Sequence, residues 1–170
     1  MSNQIQQDST VSYFAQVGCS QLGLTADQTL VHTTTVGPPK LALPLQLNVD
    51  EGAHITVATT VTTILQAGVY SIGGYFGIGA TGPNLLLDFS LYCQITSTYD
   101  STYNNLIPFR SQLAMVPGST TWSEVYIIPV SACIYLHAGD TITFYVQNNS
   151  KLNDALLAKT DTNILFTKIE

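Results

Sequence analysis

The stretch Gln66-Ala-Gly-Val-Tyr-Ser-Ile-Gly-Gly-Tyr-Phe-Gly-Ile78 constrains the fold more than any other part of the chain. Ala67-Gly68 punctuates it, and bulky residues then alternate with a period of two. Tyr70, Ile72, Gly74, Phe76 and Ile78 share one face of such a strand. Val69, Ser71, Gly73, Tyr75 and Gly77 share the other. One bulky face and one glycine-rich face suit a strand covered on both sides, with something approaching the small side closely. This is the expected central strand of an all-β domain.

The rest of the chain repeats the theme in shorter units. Residues 1–10 read as a tail and 11–170 as a single domain. Strands are expected at 11–17, 29–36 and 41–49, with 18–28 a loop between the first two. The 41–49 segment places Leu at 41, 43, 45 and 47 but contains Pro44, which suits an edge or partly covered strand. Asp50-Glu51-Gly52 turns the chain, and a β-branched run at 54–65 leads into the central strand. A turn at 79–84, a strand at 85–95, a polar loop at 97–105 and a strand at 109–116 follow. Residues 123–136 and 141–147 read as a hairpin around His137-Ala-Gly-Asp140. Residues 148–161 read as loop, with a short helical turn at 154–159, and 163–169 as the last strand. Short strands with a turn every ten residues or so, and no long helix, predict a sandwich or barrel.

Composition bears on assembly. Only 9% of the 170 residues are charged, against roughly 25% in an average soluble domain. With 45% hydrophobic residues and a mean hydropathy of +0.22, the chain is not disordered. A surface so poor in charge is expected to be partly hidden in an oligomer. Acidic residues number 11 against 5 Lys and Arg, with no basic cluster, so nucleic-acid binding is not expected. The polar start has no basic region followed by an apolar run, and 125–136 is too short for a membrane helix and contains Pro129. A soluble chain is expected, without membrane insertion, made without a signal or in mature form. Cys19, Cys93 and Cys133 are odd in number and unpaired in spacing, which gives neither a disulfide framework nor a zinc pattern.

Residues able to do chemistry are scattered. His32, His54 and His137 are isolated in sequence, and no nucleophile elbow, phosphate-binding glycine loop or zinc-protease segment is present. Neither enzyme activity nor a metal or other cofactor is expected. Asp140, after Gly139 in a tight turn, is expected to bond its own backbone, and Asp50-Glu51 to form a solvated turn. The segment Thr98-Tyr-Asp-Ser-Thr-Tyr-Asn-Asn105 is the exposed candidate for recognition, because Tyr, Ser and Asn together make adaptable binding surfaces. Its candidate ligand-binding residues are Tyr99, Asp100, Tyr103 and Asn104. Asn148-Asn-Ser150 is a glycosylation sequon, relevant only in a secreted protein.

Four segments carry a family likeness. They are Tyr13-Phe14-Ala15, Ala67-Gly68-Val69-Tyr70, the run Leu136-His-Ala-Gly-Asp-Thr-Ile-Thr-Phe144, and Ile164-Leu-Phe-Thr-Lys-Ile169. In this order the chain resembles the tumour necrosis factor and complement globular-head superfamily. The final strand lacks the usual Phe-x-Gly-Phe form, which leaves the subfamily open. His137-Ala-Gly-Asp140 also resembles the cupins, but the His-x-His pair of their metal sites is missing. The main resemblance implies a two-sheet antiparallel jelly-roll sandwich of about ten strands that forms a tight homotrimer. Candidate trimer-interface residues are Tyr13, Val69, Ser71, Gly73, Tyr75, Gly77 and Phe166. With no secretion signal on a fold otherwise used outside cells, the expectation is a virion protein, the head of a capsid spike or fibre. Its partners would be itself, other capsid or fibre proteins, and a host receptor or glycan. The alternative is a secreted extracellular ligand or scaffold.

Overall fold

A computed structural model describes residues 19–32, 38, 40–81, 86–100, 104–114, 126–149 and 155–169. Twelve strands run through them: β1 (Cys19–Leu24), β2 (Gln28–Val31), β3 (Lys40–Ala42), β4 (Leu45–Asp50), β5 (Ile55–Ala58), β6 (Val61–Ile64), β7 (Gly68–Thr81), β8 (Leu86–Thr96), β9 (Asn104–Ala114), β10 (Tyr126–Leu136), β11 (Thr141–Asn148) and β12 (Ala155–Lys168). The described residues contain no helix. One sheet has the order β10-β7-β12-β1-β4, with β2 also on β12. The other has the order β5-β6-β11-β8-β9, with β3 also on β11. All pairings are antiparallel. From β7 onward the chain passes from the first sheet to the second at β8 and β9, back at β10, over at β11 and back at β12. That is the alternation of a jelly roll.

Strand β7 lies inside the first sheet, flanked by β10 and β12 along its length. Tyr70, Ile72, Phe76 and Ile78 are fully buried, as their alternation predicts. Tyr70 also donates its hydroxyl to the Gln66 carbonyl at 2.7 Å, which ties the strand to the turn before it. Opposite them, the second sheet contributes Phe89, Leu91, Cys93, Ile95, Ile142, Phe144 and Val146. The Phe144 ring sits 5.8 Å from Phe76 and 6.1 Å, edge-on, from Phe166, so one aromatic of the second sheet meets two of the first. Phe166 is therefore a core residue, 1% exposed, and not part of an outer face as expected. Its partner across the ladder is Ile72, and both point inward.

Other expectations are corrected. Residues 123–136 and 141–147 do not form a hairpin, because β10 pairs with β7 in one sheet and β11 with β8 in the other. His137–Asp140 is thus a crossing between sheets. The segment 18–28 is not all loop, since Cys19–Leu24 is held between β12 and β4. The run 54–65 is a hairpin, β5 on β6, folded at Thr59 with φ 55°. Uniform β-branching hides that turn, which lacks the usual glycine or asparagine. Of the turn expected at 79–84, residues 79–81 are strand, because β7 continues to Thr81, and 82–84 lie outside the described residues. The helical turn expected at 154–159 is strand from Ala155 on, since β7 and β2 pair with it on either side. Tertiary pairing outweighs weak local preference there. The 41–49 strand is broken into β3 and β4, with Leu43 and Pro44 between. The tail expected at 1–10 and the first strand expected at 11–17 lie outside the described residues.

The glycines of β7 differ in kind. Gly74 has φ +120°, and a Cβ there would stand 2.2 Å from the Asn163 carbonyl oxygen. It lies beside the irregularity where β12 shifts register between Lys159 and Asn163. In the same irregularity the Thr162 hydroxyl accepts the Gly77 N–H at 3.2 Å. Gly73, one residue away, has nothing within 4 Å of its Cβ position. Gly74→Ala should cost about 3 kcal/mol or prevent folding, combining positive φ with a backbone clash. Gly73→Ala should shift stability by less than about 1 kcal/mol. Urea denaturation of the two variants checks the contrast, and equal effects would contradict it.

Burial pushes the Cys93 thiol up to about 12 from its ordinary 9.0. A raised thiol pKa favours the folded state below pH 9 and loses that contribution as pH rises through 12. Native protein at pH 8 should leave Cys93 unlabelled by iodoacetamide, read by mass spectrometry, until denaturant is added. Labelling under native conditions would show that the core opens.

Candidate functional site

Strand pairing brings together two loops that are 40 residues apart in sequence. The Thr141↔Thr96 pair of β11 and β8 sets residues 97–100 against residues 137–140 at one end of the sandwich. A third segment joins them: Gly139 N–H donates to the Ile64 carbonyl at 2.8 Å and Ile64 N–H to the Asp140 carbonyl at 2.9 Å. Gly139 takes φ +92°, and a Cβ there would come 2.9 Å from the Thr98 hydroxyl, so the loops interlock only with glycine at this place.

Asp140 organises the junction. Its side chain is 2% exposed. Oδ1 accepts from the Ser97 hydroxyl at 2.8 Å and from Thr98 N–H at 3.2 Å. Oδ2 accepts from His137 N–H at 2.8 Å and lies 3.5 Å from His137 Nδ1. The backbone-bonding role expected from Gly139-Asp140 is thus observed, and it extends across to the neighbouring loop. Ser97 Oγ in turn accepts from the N–H groups of Tyr99 and Asp100, at 3.2 and 3.4 Å.

On this scaffold the aromatic rings form a corner. The Tyr99 ring stacks on His137 with centroids 4.9 Å apart and planes 9° from parallel. Tyr135, from the end of β10, meets His137 edge-on at 5.1 Å and 77°. Tyr99 is nevertheless 81% exposed and Tyr135 54%. The space beside them, about 300 Å³, is lined by Ser97, Tyr99, Asp100, Tyr135, His137 and Asp140. That is the lower end of small-ligand pocket size.

The expected recognition loop is therefore partly assembled. Tyr99 and Asp100 line the pocket. Asn104 starts β9 opposite Thr96 and so belongs to a strand, not to the loop. Tyr103 and Trp122 lie outside the described residues. Sequence reading missed Tyr135 and His137 as partners of Tyr99, because only the β11–β8 register brings them near. Among the described residues no group of three or more His, Cys, Asp or Glu is placed to hold a metal ion. The sequon residue Asn148 is fully buried, and its side-chain nitrogen donates to the Leu30 carbonyl at 2.9 Å, so it is closed to glycan attachment in the folded protein.

Of the expected interface residues, Val69, Ser71, Gly73 and Tyr75 do share the outward face of β7, each half-buried in the single chain. Gly77 also points outward but is already covered, lying opposite Lys159 on β12. Lys159 pairs with Asp27, whose carboxyl is held below its ordinary value by that ammonium and by the Thr160 N–H. Tyr13 lies outside the described residues.

No protein-family model matches the chain, and no curated protein matches its sequence. Solved structures do. Murine APRIL at pH 5.0 aligns with a TM-score of 0.61 at 14% identity, over 90% of this chain and 99% of that one. The Eiger TNF of S. frugiperda aligns at 0.57 and 14% identity, over 91% and 94%. A chain of infectious bursal disease virus Gt strain aligns at 0.59 and 8% identity, over 88% of this chain and 31% of that one. The fold is a tumour necrosis factor-like jelly roll.

Replacing Asp140 should be costly. Asp140→Ala strands three donors and should destabilise the fold by about 3 kcal/mol, with Asp140→Asn milder. Chemical denaturation gives the number. A loss below about 1 kcal/mol would show that the junction is held by other contacts.

Proposed function

We propose that this protein is a non-enzymatic, trimeric structural and attachment protein, the head of a virion spike or fibre, that engages a host receptor or glycan. The observation that carries the reading is the outer face of the β10-β7-β12-β1 sheet. On β10 the outward residues Ile127, Pro129, Ser131, Cys133 and Tyr135 are all exposed, and none is charged. The register continues this surface through Val69, Ser71, Gly73 and Tyr75 on β7 to Leu165 and Thr167 on β12, again without charge. A chargeless stretch of sheet face, bounded by the Lys159–Asp27 pair opposite Gly77, on a chain with only 9% charged residues is suited to burial against copies of itself. Half-buried Tyr75 beside open Gly73 supplies a bulky side chain and a space for one.

The pocket end of the sandwich is left for recognition of something other than this chain. The likeness to the bursal disease virus chain favours the virion setting, with other capsid or fibre proteins as neighbours. A secreted extracellular ligand is the second reading, favoured by the likeness to murine APRIL and Eiger TNF. Fold alone does not separate them, since one jelly roll hosts many tasks.

Light scattering on a sizing column should give three times the 18.3 kDa protomer mass. Gly73→Arg and Tyr75→Asp should reduce it to one protomer. Because the Gly73 position is open in the single chain, Gly73→Arg should dissociate the assembly without unfolding its subunits. A wild-type monomer, or a Gly73→Arg variant of unchanged mass, would overturn the assembly.

A further inference from the structure

We infer that the Tyr99–Tyr135–His137 corner is a binding site for an alkylated ammonium group, such as the trimethylammonium of a choline headgroup. The inference rests on reading this end of the sandwich as a recognition site, and it names the chemistry recognised there.

The argument turns on what the pocket still offers a ligand. Ser97 Oγ is occupied by the Asp140 carboxylate and by the N–H groups of Tyr99 and Asp100. Both Asp140 oxygens already hold protein donors. A sugar placed here would find the Ser97 and Asp140 oxygens already engaged, and hydroxyls buried without partners are costly. An anion would meet two carboxylates, Asp100 and Asp140, with no Lys or Arg among the described lining residues. What remains is ring faces and negative charge. The Tyr99 and Tyr135 rings stand nearly perpendicular, since one is parallel to His137 and the other is 77° from it. Two aromatic walls at a right angle beside carboxylates form the cage that attracts a cation with apolar substituents. A methylated ammonium needs few or no hydrogen bonds, fills apolar space with its methyl groups, and gains from both the ring quadrupoles and the acidic surroundings.

The test is calorimetric titration of the full chain with choline chloride, beside its neutral carbon isostere 3,3-dimethylbutan-1-ol. Choline should bind saturably, and the isostere at least about tenfold more weakly, because only the charged ligand gains from the rings and carboxylates. Tyr99→Leu and Tyr135→Leu should each weaken choline binding by about tenfold, whereas Tyr99→Phe retains it. Asp100→Asn should weaken it as well. Tyr99 and Tyr135 are largely exposed, so unchanged melting of their variants separates lost binding from lost fold. Equal affinity for the isostere, or no saturable choline binding, would overturn the inference. Loss of host-cell attachment by Tyr99→Leu without any choline binding would leave the recognition site standing and remove the ligand class. Choline binding with unimpaired attachment would establish the ligand and move the attachment surface elsewhere.

Discussion

Phe144 holds the two sheets together at their centre. From β11 it reaches across the sandwich to Phe76 on β7 and Phe166 on β12, the two longest strands of the opposite sheet. Tilted and edge-on contacts of this kind contribute about 0.5–1.5 kcal/mol each beyond the apolar area they bury. The contact also fixes register. A shift of one residue in β11, β7 or β12 would turn its aromatic outward and replace it with Thr143, Tyr75 or Leu165. The alternation along those strands is therefore specified from the middle of the core.

Everything on the outside inherits that register. With Phe76 turned inward, Gly73 and Tyr75 must face out, and with Phe166 inward, Leu165 and Thr167 must do so. The irregularity in β12 carries Thr160 and Asp161 to the surface, and the inward face of the strand resumes at Thr162. Gly74 makes the room it needs, since the Asn163 carbonyl fills the place of a side chain. Glycines spaced along one strand thus serve unlike ends. Gly74 admits a neighbouring backbone of the same chain, while Gly73 leaves its space open to whatever covers the sheet.

The pocket corner depends on the same frame at one remove. β11 aligned on β8 places Asp140 beside Ser97, and the buried carboxylate gathers two loops by accepting three of their hydrogens. Charge-assisted bonds of this kind hold loop ends more firmly than neutral ones. Tyr99 can then be both highly exposed and fixed, stacked on His137, which its own backbone neighbours help to place. A ring held in this way loses little further freedom when a ligand packs on it.

A good part of this was legible in the residues. The period-two pattern of 69–78 gave the buried and outward faces of β7 correctly, because a strand's side chains alternate whatever lies beyond it. The alternation within 85–95 did the same for the part of β8 where Phe89, Leu91, Cys93 and Ile95 are buried. The order of four weak motifs pointed to the jelly roll that the solved structures bear out. Local chemistry also fixed the role of Asp140, since an Asp after a turn glycine has its own backbone within reach.

What sequence alone did not decide were the relations between strands. Nothing in 123–147 says that β10 and β11 lie in different sheets, because a turn of four residues serves a hairpin and a crossing equally well. Nothing local marks Ala155–Lys159 as strand, since its hydrogen bonds go to β7 and β2, more than seventy residues away. Phe166 reads as outward or inward until its strand is placed. Tyr99, Tyr135 and His137 become one site only after β8 and β11 pair. Sequence determined which residues share a face, because alternation is a property of a single strand. Tertiary structure decided which faces meet and which loops converge, because those depend on hydrogen bonds between distant segments.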